Sequence, residues 1–104
     1  MEISPSALLK RIDAGTAPTI LDVRSAWEYG RGHVPGAIHL PFWSLEARIS
    51  EVPGSAGDPV VVYCGHGPRA WMAGALLRRH AFTQVLYLAG HMRAWRQAGL
   101  PEED

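Results

Sequence analysis

Val60-Val61-Val62-Tyr63 runs without a polar break into Cys64-Gly65-His66-Gly67, and Pro68-Arg69 then opens a stretch of helical composition. A strand that is apolar at every position offers no face to water, so it belongs in the middle of a parallel sheet covered on both sides. Parallel strands are joined by crossovers, usually helices. This one segment therefore commits the chain to an α/β architecture and places Cys64 where such folds bind ligands, beyond the carboxyl end of a strand.

The remaining segments alternate as that architecture requires. Ser4 or Ser6 can cap a helix running to about Ala14, with Ala7, Leu8, Leu9 and Ile12 on one face. Thr19 to Val23 reads as a short strand, Ser25 to Tyr29 as a helical turn, and Ala37 to Leu40 as a second short strand stopped by Pro41. Ser44 can cap a helix carrying Leu45, Ile49 and Val52, and Pro53 to Asp58 is a turn-rich loop. The segment from Arg69 to His80 is apolar enough to predict a helix that is mostly buried. Gln84 to Leu88 is a further strand and Met92 to Ala98 a last helix. The expectation is one domain over residues 1–104, with a small, mainly parallel central sheet and helices on both faces.

Backbone N–H groups at a helix start carry partial positive charge and favour anions. A cysteine held there is a better thiolate than a free one. Gly65 and Gly67 permit a tight turn, and Pro68 suits the first helical position. Cys64 is thus the candidate nucleophile, cradled by Gly65, His66, Gly67, Arg69 and Ala70. The plainer alternative, a cysteine that merely fills the core, does not account for the glycines, the arginine and the helix start together. Gly65-x-Gly67-x-x-Ala70 also fits a dinucleotide fingerprint, which needs an acidic residue about 20 positions on. No acid occurs between Asp58 and Glu102. A cysteine phosphatase loop, C-x5-R, is one residue longer than the spacing from Cys64 to Arg69. The tighter loop better suits a cysteine carrying one extra sulfur than one carrying a phosphate.

Charge is distributed unevenly although it sums to zero. Residues 59–101 contain Arg69, Arg78, Arg79, Arg93 and Arg96 and no acid, so a cationic field is expected around the cysteine. Arg78 and Arg79 read as a solvated rim. There is no overall basic excess to suggest a nucleic-acid partner, and no apolar run long enough to cross a bilayer. A single cysteine excludes an internal disulfide. A reducing, cytoplasmic location is the simplest placement.

Three ordered segments carry a family resemblance. Cys64-x-x-Gly67-x-Arg69 resembles the active-site loop of the rhodanese sulfurtransferases. The segment from Leu21 to Ile38, containing Asp22-Val23-Arg24, Glu28-Tyr29 and Gly32-His33-Val34-Pro35-Gly36-Ala37, is similar to that family's first signature. Leu88-Ala89-Gly90-His91-Met92-Arg93-Ala94-Trp95 is similar to its last. His91 stands where the family pattern has a second glycine, and Ala70 where many members have serine. The resemblance implies a rhodanese-like three-layer fold and transfer of sulfane sulfur through a Cys64 persulfide. The implied donor is a small anion such as thiosulfate, its oxyanion end neutralised by Arg69. The implied acceptor is a thiol or cyanide, with a sulfur-relay protein as a further partner. No metal and no organic cofactor is implied. A non-catalytic persulfide carrier or binding module is the alternative. A phosphatase or arsenate-handling enzyme ranks below it, because of the loop length and the lack of a second cysteine.

Other residues read as structural. Asp22 and Arg24 are expected to hold loops together by charge-assisted hydrogen bonds, and His33 to hydrogen-bond within its turn. His66 and His91 beside Cys64 match no zinc spacing. His66 reads instead as a loop residue able to polarise substrate. Trp27, Trp43, Trp71 and Trp95 read as core or rim, and Trp71 can also wall the pocket.

Overall fold

A computed structural model describes residues 1–104. Strands β1 (Glu2–Ile3), β2 (Thr19–Asp22), β3 (Ile38–His39), β4 (Val60–Tyr63) and β5 (Val85–Leu88) form one sheet in the order β1-β5-β4-β2-β3, parallel at every pairing. Helices α1 (Pro5–Asp13), α2 (Ala26–Gly30), α3 (Pro68–Arg79) and α4 (His91–Gln97) connect or follow them. The all-apolar β4 is the central strand, as its composition requires, and every one of its residues is buried. No helix is long and apolar enough to cross a membrane.

Side chains alternate across β4 and divide the core into two layers. Val60 and Val62 face Ala70, Ala73 and Leu77 of α3, together with Leu45 and Val52. Val61 and Tyr63 face Leu8 of α1 and Met92 and Trp95 of α4. Helices therefore cover both faces of the sheet. Ser4 caps α1 through its hydroxyl, and Ser25 caps α2 in a reciprocal box with Glu28.

Three features differ from expectation. The helix foreseen after Ser44 is replaced by two 3-10 turns, Phe42–Ser44 and Ile49–Glu51. The Ser44 hydroxyl donates to the Pro41 carbonyl at 3.2 Å and so caps nothing. Helix α3 is only half buried: Ala70, Ala73, Gly74 and Leu77 form its inner stripe, while Trp71 and Met72 are 57% and 58% exposed. A helix on one face of a sheet buries one stripe, whatever its composition. That stripe approaches β5 so closely that a Cβ on Gly74 would collide with the Tyr87 hydroxyl. Finally, β1 is an edge strand of two residues, too short to show any alternation in sequence.

Candidate active site

Parallel pairing brings the carboxyl ends of β2 and β4 side by side, with Asp22 opposite Tyr63. Cys64 follows β4 and is fully buried. Its Sγ accepts the Gly67 N–H at 3.0 Å. Gly67 has φ +144°, and a Cβ there would come within 2.8 Å of the Trp71 ring, so only glycine closes the loop. The N–H groups of Gly65, His66, Arg69 and Ala70 donate to no group of the protein. The Ala70 side chain, in contrast, lies in the core beneath α3.

The first turn of α4 backs the loop. Met92 N–H donates to the Cys64 carbonyl at 3.0 Å, and Arg93 N–H to the Gly65 carbonyl at 3.1 Å. The Cys64 N–H donates to His91 Nδ1 at 3.2 Å. Burial pushes the His91 imidazole below the usual histidine range, His66 adds to the effect and Glu2 opposes it. His91 adopts φ +56°, a conformation that costs a residue with a Cβ about 1–2 kcal/mol.

Arg69 is paired with a carboxylate. Its Nη1 donates to Glu28 Oε1 at 2.6 Å and its Nη2 to Glu28 Oε2 at 3.0 Å. The hydrogen bond from Arg69, helped by those from Ser25 and offset by burial, holds the Glu28 carboxyl down at about 2. Arg69 and Glu28 thus form a bidentate pair that lies against Gly65. The sequence assigns Arg69 to the oxyanion end of a donor; in the structure its fork is engaged by the Glu28 carboxylate. Glu28 was missed, although Ser25-x-x-Glu28 is a legible capping box.

Above the loop lies a cleft of about 960 Å³. Its lining includes Trp27, Arg31, Gly65, His66, Arg93 and Arg96. Cys64, the residue before Gly65, is fully buried and is not part of the lining. Arg31 stacks on the Trp27 ring at 4.8 Å. Glu102 reaches back to Arg96 at 3.3 Å, so the cationic field is partly neutralised from outside the acid-free segment. Arg31 and Arg93 carry no carboxylate partner. Composition located these arginines near the cysteine but not their division into paired and free.

Asp22 and Arg24 are both buried and joined at 2.7 Å. Asp22 also accepts the Tyr63 hydroxyl at 2.6 Å, and Arg24 donates to the Gly32 carbonyl at 2.8 Å. His33 stacks on Tyr29 at 3.7 Å, and its Nδ1 lies 2.9 Å from the Tyr29 carbonyl. The expected structural roles are those the contacts describe. Trp95 is core, Trp27 and Trp43 are exposed, and Trp71 covers Gly67 without lining the cleft.

Compared with known proteins, residues 4–98 match the family model "Rhodanese-like domain". The chain is 34% identical to a sulfurtransferase of Allochromatium vinosum over 96% of this chain and 92% of that one. It is 33% identical to the putative sulfur carrier protein YrkF of Bacillus subtilis over 90% of this chain but only 50% of that protein, so it spans half of YrkF's length. The crystal structure of the Alr3790 protein from Anabaena superposes with a TM-score of 0.86 at 32% identity, covering 97% of this chain and 90% of that one.

Proposed function

Because the chain belongs to the rhodanese-like domain family, we propose that Cys64 receives and passes on sulfane sulfur as a persulfide. Sulfur transfer is the class of chemistry this membership supports. The observation that carries the finer reading is the Cys64 Sγ held by the Gly67 N–H at a helix start, among unpaired amides and next to Gly65, which lines a cleft with unpaired arginines. In the first half-reaction the thiolate attacks the outer sulfur of thiosulfate. A Cys64–sulfur bond forms, the donor S–S bond breaks, and sulfite leaves with the electron pair. In the second, cyanide or a thiolate attacks the outer persulfide sulfur, giving thiocyanate or a new persulfide and regenerating the thiolate. Loop amides stabilise the anionic sulfur in both steps. Charge and atoms balance without a metal, an organic cofactor or an external oxidant. A reducing compartment such as the cytoplasm would keep Cys64 as a thiol between cycles. The test is thiocyanate formation from thiosulfate and cyanide, with intact mass reporting one added sulfur after donor alone. An unmodified mass at saturating thiosulfate sinks this reading.

A carrier role is the second reading, supported by the likeness to YrkF and by the covered position of Cys64. It predicts slow thiosulfate turnover but fast loading from a protein persulfide.

The division of the arginines makes its own prediction. Arg93→Ala is expected to raise the KM for thiosulfate about tenfold, the low end for a charge-assisted contact at an exposed site. Arg93→Lys should recover part of that, lacking the planar fork. Arg78 donates to the Tyr87 hydroxyl outside the cleft, and its alanine variant should stay within about twofold, as is usual for surface changes. If Arg69→Ala alone raises KM while Arg93→Ala is silent, the donor's oxyanion docks on Arg69 after all.

A further inference from the structure

His91 pairs a strained backbone with a buried side chain, 4% exposed. Glycine would fit the same φ without strain. What the imidazole supplies is one contact that glycine cannot make, the acceptor for the Cys64 N–H. The two neighbouring bonds from α4, to the carbonyls of Cys64 and Gly65, come from backbone and would survive any substitution that keeps the helix start. The side-chain bond therefore converts a two-point clamp on the loop into a three-point one, and the third point holds the peptide that carries the thiol.

We propose that His91 is a positioning residue for Cys64, fixing the nucleophile's peptide through Nδ1 and working only as the neutral, Nε2-protonated tautomer. The inference rests on the reading of Cys64 as the sulfur-carrying residue. A peptide N–H can only donate, so Nδ1 must keep its lone pair and the ring proton must sit on Nε2. Protonation removes the acceptor and sets two donors against each other. The ring accepts the Cys64 N–H, and the charges that act on it are Glu2 from β1, which favours the charged form, and His66 from the loop, which opposes it. Burial decides the balance for the neutral form. The unfolded chain takes up this proton near 6.5, whereas the folded one resists it. Folded stability and clamp therefore hold at neutral pH and above. Stability declines once the pH falls below that value, and the clamp is lost as the pH drops through the lowered histidine pKa.

Two measurements test this. Histidine nitrogen NMR on the wild-type chain should show an unprotonated Nδ1 at pH 7.5, with the Cys64 amide resonance titrating together with His91. An Nδ1-protonated tautomer would overturn the proposal. Single-turnover persulfide formation from thiosulfate should then be followed against pH for wild type, His91→Asn and His91→Gly. Asparagine tolerates the left-handed backbone and brings an acceptor that does not titrate. It should keep the wild-type rate within about twofold above pH 7 and lose the acid step that tracks His91. Glycine should be about three- to tenfold slower, as for one lost hydrogen bond, with an unchanged or higher Tm. A purely structural residue gives a lowered Tm in both variants and an unshifted pH profile, and that result also overturns it. If thiosulfate leaves wild-type Cys64 unmodified, the sulfurtransferase reading fails, and the NMR measurement alone decides the clamp.

Discussion

Cys64→Ser is expected to abolish sulfur transfer, by a factor on the order of 10³ or more, as for loss of an essential nucleophile. No other residue of the chain can carry a persulfide, since Cys64 is the single cysteine. The variant should remain folded. Serine is slightly smaller than cysteine, and its Oγ can accept the Gly67 N–H that Sγ accepts now. One hydroxyl is buried in exchange, with a partner, at a net change of about 1 kcal/mol. Intact mass should show no added sulfur after thiosulfate, and thiocyanate should not form above the uncatalysed rate. Residual transfer near the wild-type rate would place the chemistry outside Cys64.

The largest expected loss of stability follows from Asp22→Ala. The Asp22 carboxylate is fully buried and accepts from the Arg24 N–H at 3.0 Å, the Arg24 guanidinium and the Tyr63 hydroxyl. Burial, followed by the Asp22 carboxylate, holds the Tyr63 phenol protonated and so a donor. Removing the carboxylate leaves a guanidinium 2% exposed without its ion-pair partner. Breaking a buried pair in this way costs about 3–5 kcal/mol, against a total stability of about 5–15 kcal/mol for a domain. Asp22→Asn keeps the shape but not the charge, and should lose less. Urea unfolding at pH 7 measures both. An Asp22→Ala loss below about 1 kcal/mol would mean that water or a rearranged loop replaces the carboxylate, against the contacts described. The same variant should also weaken donor binding, because Arg24 lines the cleft and holds the Gly32 carbonyl.

Much of this arrangement is legible in the residues alone. The apolar run of β4 could sit only at a sheet centre, and Gly67-Pro68 could open a helix only after a sharp turn. Their junction places Cys64 at the head of α3. Ser4, one of two candidate caps, and Ser25, the first residue of the expected helical turn, both cap helices, because capping is local and decided within three residues. The segment after Ser44 failed because the cue was ambiguous: the same hydroxyl bonds backward to Pro41 as readily as it caps forward. Burial of α3 was overstated because composition reports how much apolar surface exists, not which stripe meets the sheet.

The partners of charges were decided elsewhere. Glu28 meets Arg69 across 41 positions, and it is the lateral packing of β2 against β4 that brings α2 to the loop. Glu102 and Glu103 reach Arg96 and His33 because the chain after α4 folds back beside the Gly32 turn. The His91 ring faces Cys64 because β4 and β5 pair in register and α4 begins just beyond β5. Sequence patterns encode local backbone preference and the need for burial, and these sufficed for most of the elements and for the place of Cys64 at the head of α3. Which arginine is spent on a carboxylate and which is left for a ligand depends on Coulomb contacts a few ångströms long between distant segments, and only the closed tertiary structure sets those distances.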